Sequence, residues 1–339
     1  MGEPARGSYP RCLKERCVIL KATSTDVTSE SEKARGNMQS EAGGSGASRC
    51  CFGCAQYCGA PPASVSRSRL VFFSLALECT MPVTASQLGL QCYTIRDHCK
   101  TEEDFTASMA KAAEIGYTAV QISAVGPIPP ETIKAICDAN GIKILITHEP
   151  QEQIIDHPEA IIERLNAMDC KNTAFSGSAP DAAGYAKMAA DMARVDPIYK
   201  AAGIQLSYHN HAHEFQRFED GKTGMDILFD EPLVQFELDM YWVARGGASP
   251  EQWARKCKGR LPIVHVKDMA YSAEERSEEM AALGDGNLDL KTVFEESIAA
   301  GAECIMFEQD GNWINDDPWE AAQRTWDYVQ AHIVTEAKL

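Results

Sequence analysis

The stretch Ile204–His211, which reads IQLSYHNH, carries the pattern that decides the fold. Apolar and polar side chains alternate along it with a period of two, which is typical of a β-strand with one apolar face. Gly203 stands directly before the stretch, where a glycine commonly ends a helix in the left-handed conformation. The sequence therefore predicts a helix that leads straight into a strand, and this strand ends in polar side chains.

The same unit recurs along the chain from Gln87 onward. Short β-rich runs alternate with amphipathic helical runs, and successive strand starts lie 24 to 41 residues apart, the length of a strand, a helix and two loops. The predicted strands are Leu88–Tyr93, Thr118–Ser123, Ile142–Thr147, Asn172–Ser176, Ile204–His209, Val234–Leu238, Pro262–Val266 and Glu303–Glu308. Eight such units in about 250 residues predict an α/β fold, the (β/α)8 or TIM barrel. No Gly-x-Gly-x-x-Gly follows the first strand, which argues against a dinucleotide-binding doubly wound sheet.

The composition of the 339-residue chain is that of a globular protein, with 45% apolar and 24% charged residues. The first 80 residues carry 10 Lys and Arg against 7 Asp and Glu, whereas the remaining residues carry 22 against 42. The acidic residues 81–339 repel the phosphate backbone of nucleic acids, so we expect no nucleic-acid partner. The most apolar run, Leu70–Leu77, has about half the length that a membrane-spanning helix needs, so we expect no membrane partner.

Residues 1–80 show no sustained period of two or 3.6, and we expect them to be an unstructured or appended leader. The orderly pattern begins just after Met81, so residues 81–339 are predicted to form the barrel. Seven of the 13 cysteines fall in the leader, where Cys51-x-x-Cys54 has only part of the spacing of a zinc site. The other six show no close pairing, which is typical of buried, reduced thiols in a cytoplasmic protein.

Polar side chains collect at the predicted C-terminal ends of the later strands, on the face that alternation turns toward the barrel interior. These are His209, Asp239, His265 and Glu308, on four consecutive strands. Active sites of TIM barrels lie at this rim, and burying such groups without partners is costly. Two imidazoles and two carboxylates suit Mn²⁺, Mg²⁺, Co²⁺ or Zn²⁺, so the sequence predicts an open site for a divalent metal ion.

Three further residues are candidates for the chemistry. His211 lies at the rim, beyond the predicted ligand on the same strand face, and is the predicted general base. Glu149 ends the third strand in the phase that faces inward, and it is either a second base or a helix-capping carboxylate. Lys267 shares the inward face of the seventh strand. It is predicted to stabilise an enolate or to bind an anion, and a salt bridge with Asp268 or Glu237 is the alternative.

Several ordered motifs resemble those of the sugar phosphate isomerase/epimerase group of the xylose isomerase-like TIM-barrel superfamily. They are YHNHAHEF (208–215), FELDMYWV (236–243), HVKD (265–268), GDGNLD (284–289) and FEQD (307–310). The resemblance covers roughly residues 85–333. In relatives such as ketose 3-epimerases, the metal ion is held by Glu, Asp, His and Glu, and the two glutamates exchange protons with the substrate.

The resemblance places Asp239, His265 and Glu308 at the last three of these positions and gives Glu308 a part in proton transfer. The fifth strand offers His209 in place of the first glutamate, with His211 next on the same face. The resemblance therefore implies a metal-dependent sugar isomerase or epimerase. The histidine pair is similar to inosose dehydratase-like and 3-keto-glycoside-cleaving members, which implies β-elimination as the alternative.

Two other functions compete with these. The endonuclease IV branch of the same superfamily needs more histidine and carboxylate ligands and a basic groove, and the acidic body argues against it. A barrel that binds a sugar without turnover is the non-enzymatic alternative. The expected partner is a small-molecule sugar, keto-sugar or polyol, and a homo-oligomer is left open.

Overall fold

The structure, a computed structural model, describes residues 83–334. Its barrel strands are β1 (Leu88–Gln91), β2 (Ala119–Ile122), β3 (Lys143–His148), β4 (Asn172–Phe175), β5 (Gln205–His209), β6 (Gln235–Asp239), β7 (Ile263–Val266) and β10 (Cys304–Phe307). All pair in parallel with their neighbours, and β1 pairs with both β2 and β10, which closes the barrel. The predicted TIM barrel is therefore confirmed, with every strand where the alternation placed it.

Helices surround the barrel and connect its strands. They are α1 (Glu102–Ile115), α2 (Pro130–Ala139), α3 (Gln151–Asp156), α4 (Pro158–Ala167), α5 (Ala182–Ala201), α6 (Gly224–Asp230), α7 (Met240–Arg245), α8 (Pro250–Lys256), α9 (Leu290–Ala300) and α10 (Pro318–His332). Short 3-10 helices cover Ala85–Gln87, Cys92–His98, His213–Phe215 and Ile314–Asp316.

Helix α1 illustrates how the sequence sets these elements. The Thr101 side chain caps its start by accepting a hydrogen bond from the Asp104 backbone N–H at 3.1 Å. Phe105 and Met109 are buried at helical spacing and join the main apolar core. Gly116 ends the helix with a φ of +122°, a conformation that a side chain would strain. The buried apolar residues therefore fix the helix against the core, and the Thr101 cap and Gly116 set where it begins and ends.

The lower half of the barrel interior is closed by a small apolar cluster, separate from the main core. Its buried members are Ile146, Ala174, Ile263, Cys304 and Met306. On β1 the interior position is Gly89, where a Cβ would collide with the Met306 side chain. The next interior positions along β7 and β10 are polar, so this cluster forms the floor beneath the predicted site.

The pairing of β2 with β3 contains an irregularity that alters the predicted orientation of side chains. The register shifts by one residue between Val120 and Gln121, which leaves Leu145 as an extra residue in β3. A bulge reverses the alternation of the side chains beyond it. His148 therefore takes the interior position that strict alternation predicted for Glu149.

The longer interval between the seventh and eighth barrel strands holds an antiparallel hairpin, formed by β8 (Asp268–Ser272) and β9 (Ser277–Ala281). The loop after the hairpin wraps the Asp268 carboxylate. This carboxylate accepts hydrogen bonds at 3.0 to 3.1 Å from the backbone N–H groups of Gly284, Gly286 and Leu288. The rim loop is thereby tied to the end of β7.

The six cysteines of the described residues are buried free thiols, as predicted. Within residues 83–334, no helix is both long and apolar enough to span a membrane. The predicted leader, with its Cys51-x-x-Cys54 motif, lies outside the described residues. The domain boundary after residue 80 therefore stays a prediction.

Candidate active site

The structure brings the four predicted metal ligands together. His209 and Asp239 are the last residues of β5 and β6, His265 lies within β7, and Glu308 directly follows β10. One ligand atom from each side chain lies within 4.8 Å of the others, and all four residues are buried. Neighbouring parallel strands thus bring together four residues that lie far apart in the sequence.

The ligand atoms face a common space. His265 Nδ1 lies 3.0 Å from Glu308 Oε2 and 3.8 Å from Asp239 Oδ2, and His209 Nε2 lies 4.0 Å from the same aspartate oxygen. Asp239 Oδ2 is buried and accepts no well-aligned hydrogen bond. A buried carboxylate oxygen beside two imidazoles and a second carboxylate matches the donors that divalent ions of this class take. The residues therefore fit a metal ion.

The Lys267 ammonium lies among the carboxylates of this cluster. Its Nζ is 3.1 Å from Asp239 Oδ2, 2.8 Å from Glu308 Oε2 and 3.0 Å from Asp310 Oδ2. Burial disfavours the charge, but the three carboxylates outweigh burial and hold the pKa of Lys267 above its usual value. The ammonium is therefore a permanent positive charge in the site.

The salt-bridge partners suggested for Lys267 from the sequence, Asp268 and Glu237, were wrong. The Asp268 carboxylate is held by backbone N–H groups of the rim loop. The Glu237 carboxylate binds imidazoles on another side of the cluster. Asp310, three residues beyond the end of β10, takes their place.

The two histidines predicted to be ligands differ in charge. Burial lowers the pKa of His265, but the carboxylates of Glu237 and Glu308 outweigh burial and raise it to about 10. Burial, followed by the charge of His265, holds the pKa of His209 well below its usual value. His265 therefore carries a proton that a metal ion would replace, whereas His209 is neutral.

Negative charge exceeds positive charge in the cluster. Its buried or nearly buried carboxylates are Glu237, Asp239, Glu308 and Asp310, and its cations are Lys267 and His265. Burial raises the pKa of Asp239, and burial together with Glu308 raises the pKa of Asp310 to about 7. The excess negative charge favours binding of a divalent cation.

A cavity of about 530 Å³ adjoins the cluster. Its wall includes His209, His211, Trp242, Lys267 and Glu308. This volume lies within the range of small-molecule sites, roughly 300 to 1,000 Å³. The cavity therefore brings a small ligand against two of the predicted ligands and the predicted base.

The predicted base, His211, is held firmly in the cavity wall. Its backbone N–H donates a hydrogen bond to Glu214 Oε2 at 2.9 Å, and its ring stacks on His213 with the centroids 5.6 Å apart. Trp242 also packs against the His211 ring, with the centroids 5.3 Å apart. Burial, followed by the charge of Lys267, lowers the pKa of His211 to about 4. The imidazole is therefore neutral at pH 7, the form that accepts a proton.

The alternative base, Glu149, lines the cavity but is already paired. Its carboxylate accepts a hydrogen bond from Arg164 Nε of α4 at 3.0 Å. The preceding residue, His148, points into the barrel instead and donates from Nε2 to Glu237. The bulge in β3 thus puts an imidazole where the sequence predicted a carboxylate.

The sequence turned Glu237 toward the interior but assigned it no function. The structure places it at the centre of a second group of close ligand atoms, with His148, His209 and His265. It lies two residues before Asp239 on the same face of β6, and this spacing was the available signal.

The comparison with protein families assigns the fold more closely. A model of the xylose isomerase-like TIM barrel family matches residues 109–328. The chain belongs to this family. No curated protein is similar enough to this family member to count as a match.

Solved structures similar to this xylose isomerase-like chain are distant in sequence. A sugar phosphate isomerase/epimerase from Parabacteroides distasonis shares 19% identity over 77% of this chain and 99% of its own, with a TM-score of 0.64. The probable 3-DHS dehydratase AsbF from Bacillus anthracis shares 12% identity over 72% of this chain and 98% of its own, with a TM-score of 0.56. A D-tagatose 3-epimerase-like protein shares 16% identity over 72% and 97%, with a TM-score of 0.53. At these identities the likeness shows the fold alone.

Proposed function

We propose that this chain is a divalent-metal-dependent sugar isomerase or epimerase that acts by removing a proton next to a carbonyl group. The observation that carries the proposal is the convergence of His209, Asp239, His265 and Glu308 beside a cavity whose wall holds His211. The likeness to structures named as a sugar phosphate isomerase/epimerase and a D-tagatose 3-epimerase-like protein supports it. The C-terminal rim is where TIM-barrel enzymes carry their chemistry.

The four converging residues would hold the metal ion. When bound, the ion polarises the carbonyl and hydroxyl groups of the sugar and lowers the free energy of the enediolate. Two positively charged groups of the protein already contact the carboxylates of this set. The His265 ring faces Glu308 through Nδ1, and the Lys267 ammonium faces both Asp239 and Glu308. If Asp239 and Glu308 held a metal ion, Asp310 Oδ2, 3.0 Å from Lys267 Nζ, would remain as the partner of the lysine.

We assign removal of the substrate proton to His211. Its imidazole is neutral, lies in the cavity wall and is anchored through its backbone by Glu214. Glu308 lines the same cavity and offers the second group for proton return. Glu149 is the weaker candidate because Arg164 neutralises its carboxylate.

Lys267 serves a different purpose. An ammonium held by three carboxylates keeps its proton, so it does not act as a base. It lines the cavity and provides a fixed positive charge beside a developing enolate.

The charges around the cavity support an uncharged sugar, keto-sugar or polyol as substrate. In many TIM barrels a phosphate binds at backbone N–H groups of the loops after the last strands. In this chain the N–H groups after β7 are taken by the Asp268 carboxylate. Lys267 is the only lysine or arginine among the residues that line the cavity, and carboxylates already balance it. No cation in the cavity wall is therefore left for a phosphate.

Elimination of water or of an alcohol is the second candidate. The observation that favours it is the histidine at position 209, which removes one of the two carboxylate bases that epimerisation through two glutamates uses. The likeness to a probable 3-DHS dehydratase is compatible with it. Both candidates share the first step, loss of a proton next to a ketone, and they differ in what leaves next.

The proposal is tested with the purified full chain in deuterium oxide. We expect about one divalent ion per chain, and deuterium incorporation next to the carbonyl of at least one member of a panel of ketoses and keto-inositols. Treatment with EDTA should abolish the exchange, and Mn²⁺ should restore it. An unsaturated product would favour elimination, and a deuterated isomer would favour epimerisation or isomerisation.

Phosphorylated members of the same panel serve as the matched control for the substrate class, and they should exchange much more slowly. A protein that binds sugars equally well before and after EDTA treatment, and exchanges no deuterium into any of them, would contradict the proposal. It would support a barrel that binds a sugar without turnover.

A further inference from the structure

A second group of four side chains lies beside the proposed catalytic metal site and shares two histidines with it. One ligand atom from each member lies within 4.8 Å of the others. We call this group the Glu237 set, and its members are His148, His209, Glu237 and His265. The proposed catalytic ligands are called the Asp239 set, and they are His209, Asp239, His265 and Glu308.

The distances within the Glu237 set are close to those between four ligands of a single ion. Glu237 Oε2 lies 2.5 Å from His148 Nε2 and 3.4 Å from His209 Nδ1. Glu237 Oε1 lies 3.0 Å from His265 Nε2. Four ligands at zinc distances of about 2.0 to 2.2 Å form a tetrahedron whose corners lie roughly 3.3 to 3.6 Å apart. Small movements of these side chains therefore admit an ion.

His209 supplies the observation that points to a ligand in this space. Its Nδ1 faces Glu237, is buried and has no hydrogen-bond partner among the described residues. The whole residue is 3% exposed, so this nitrogen does not reach bulk water. A buried polar atom without a partner costs about 1 to 3 kcal/mol, and a bound ion is one of the ways in which proteins satisfy it.

His265 can offer its Nε2 to the same space at the expense of one hydrogen bond. This nitrogen lies 2.6 Å from Gln121 Oε1 and donates to it. Gln121 Nε2 in turn donates to Glu237 Oε1 at 2.9 Å. The amide therefore keeps one bond to the set when an ion replaces the Nε2 proton of His265.

We propose that the Glu237 set is a second binding position for a divalent ion, selective for Zn²⁺, and that an ion in it prevents binding at the Asp239 set. Three imidazoles and one carboxylate make the nitrogen-rich, four-ligand set that Zn²⁺ takes in proteins. The Asp239 set has two imidazoles and two carboxylates, a larger share of the oxygen ligands that Mn²⁺ and Mg²⁺ prefer. The first part of the inference stands on the Glu237 set alone, and the second part rests on the metal site proposed above.

The two sets exclude each other because they use opposite nitrogens of the same two rings. His209 turns Nδ1 to Glu237 and Nε2 to Asp239. His265 turns Nε2 to Glu237 and Nδ1 to Glu308. A neutral imidazole has one lone pair and one N–H, so a ring that binds an ion through one nitrogen carries a proton on the other. Zn²⁺ in the Glu237 set therefore turns N–H groups toward Asp239 and Glu308 and inhibits the proposed reaction.

His148 gives an ion a route into the Glu237 set. It lines the cavity, and its side chain is 20% exposed, whereas the other three members are buried. It also belongs to the Glu237 set alone, as Asp239 belongs to the Asp239 set alone. Substitutions of these two residues therefore separate the two positions in an experiment.

The direct test reads which ring nitrogens bind Zn²⁺. In the full chain labelled with ¹⁵N-histidine and loaded with one equivalent of Zn²⁺, we expect metal-bound Nδ1 in His209 and metal-bound Nε2 in His148 and His265. Metal-bound Nε2 in His209, metal-bound Nδ1 in His265 and a metal-free His148 would place Zn²⁺ in the Asp239 set and overturn the inference. This measurement needs no variant, so it does not depend on how well any substitution folds.

Metal affinity gives a second, independent readout. In competition with a chromophoric chelator, His148→Gln should bind Zn²⁺ more than about tenfold more weakly, because it removes one of four ligands, and should bind Mn²⁺ within about threefold of the original chain. Asp239→Asn should show the reverse pattern. His332→Gln is the matched control, because His332 is exposed on α10, and both affinities should stay unchanged. If each of the first two substitutions weakens both ions equally, the two positions are not separate and the inference is wrong.

Mutual exclusion is measured by the release of Mn²⁺, which gives a characteristic EPR signal when it is free. One equivalent of Zn²⁺ should release the bound Mn²⁺ from the full chain and stop deuterium exchange into the substrate. A chain that holds both ions at once would overturn the exclusion. If the chain exchanges no deuterium with either ion, the proposed function is wrong, whereas the NMR spectrum, the affinities and the Mn²⁺ release still decide on the Glu237 set.

Discussion

Replacing Lys267 with methionine removes a buried ammonium and keeps most of the side-chain volume. The ammonium lies 2.8 to 3.1 Å from the carboxylates of Asp239, Glu308 and Asp310. Removing one partner of a buried ion pair costs about 3 to 5 kcal/mol, since the other charge is left uncompensated. In a domain of this size each kcal/mol lowers the Tm by about 2 to 4 °C. The Tm of the metal-free protein should therefore fall by roughly 6 to 20 °C.

The same change should strengthen metal binding, because the ammonium and a metal ion compete for Asp239 Oδ2 and Glu308 Oε2. Two unit charges about 4 Å apart interact by about 4 kcal/mol at an effective dielectric constant of 20. The substitution removes the repulsion between the ammonium and the metal ion. Half of this energy, about 2 kcal/mol, already exceeds the 1.4 kcal/mol that corresponds to a tenfold change in affinity. We expect Lys267→Met to bind a divalent ion at least tenfold more tightly, and the ion to restore most of the lost Tm.

Thermal unfolding with EDTA and with Mn²⁺, together with chelator competition, measures both effects. Lys291→Met is the control, because Lys291 pairs with Glu295 at 2.6 Å on α9 and both side chains are exposed, so this ion pair should contribute little to stability. Its Tm should respond to metal as that of the original chain does. A folded Lys267→Met protein that binds metal more weakly than the original chain would refute the reasoning. Lys267 would then hold the ligands in place rather than compete with the ion.

The other predictions concern the ligands, the base and the domain boundary. Asp239→Asn and His265→Ala should each lower metal affinity more than tenfold in chelator titrations, because each removes one of about four ligands, and unchanged metal content in both would exclude them as ligands. His209→Ala should lose metal, whereas His211→Ala should keep it and lose turnover by about 10²- to 10⁴-fold, as measured by deuterium exchange. If His211→Ala exchanges deuterium normally and Glu149→Gln does not, the base is Glu149. A chain that starts at Met81 should show the same thermal unfolding and the same activity as the full chain, and loss of most activity would contradict the predicted boundary.

The sequence predicted the barrel and the convergence of four side chains for one physical reason. In a parallel barrel, alternation along a strand fixes which face a residue takes, and the register between strands fixes its level. His209, Asp239 and His265 follow the alternation, because the pairing of β5, β6 and β7 has no irregularity: Asp239 pairs directly with His265, and His209 pairs with Glu237, two residues before Asp239 on the same face. The side chains that regular strands contribute to a site can therefore be predicted from the sequence.

Glu149 shows where that extrapolation fails. The bulge that reverses β3 arises from its pairing with β2, and the local pattern of β3 contains no sign of it. The partners of Lys267 were missed for a related reason. Its ammonium contacts the carboxylates of Asp239, Glu308 and Asp310. Asp310 belongs to the loop beyond β10, and the alternation along a strand does not predict the path of a loop.

His209 in place of the glutamate found in ketose 3-epimerases alters both the charge and the proton chemistry of the proposed site. As the two carboxylate ligands of the proposed site, Asp239 and Glu308 would balance the charge of a divalent ion and would leave Asp310 to balance Lys267. No third ligand carboxylate opposes negative charge that develops on the substrate. The same replacement removes a carboxylate base and would leave the neutral His211, in the cavity wall, as the proposed base. His211 and Glu308 line the same cavity and would be chemically unequal proton-transfer groups, so the product of the deuterium experiment decides between isomerisation and elimination.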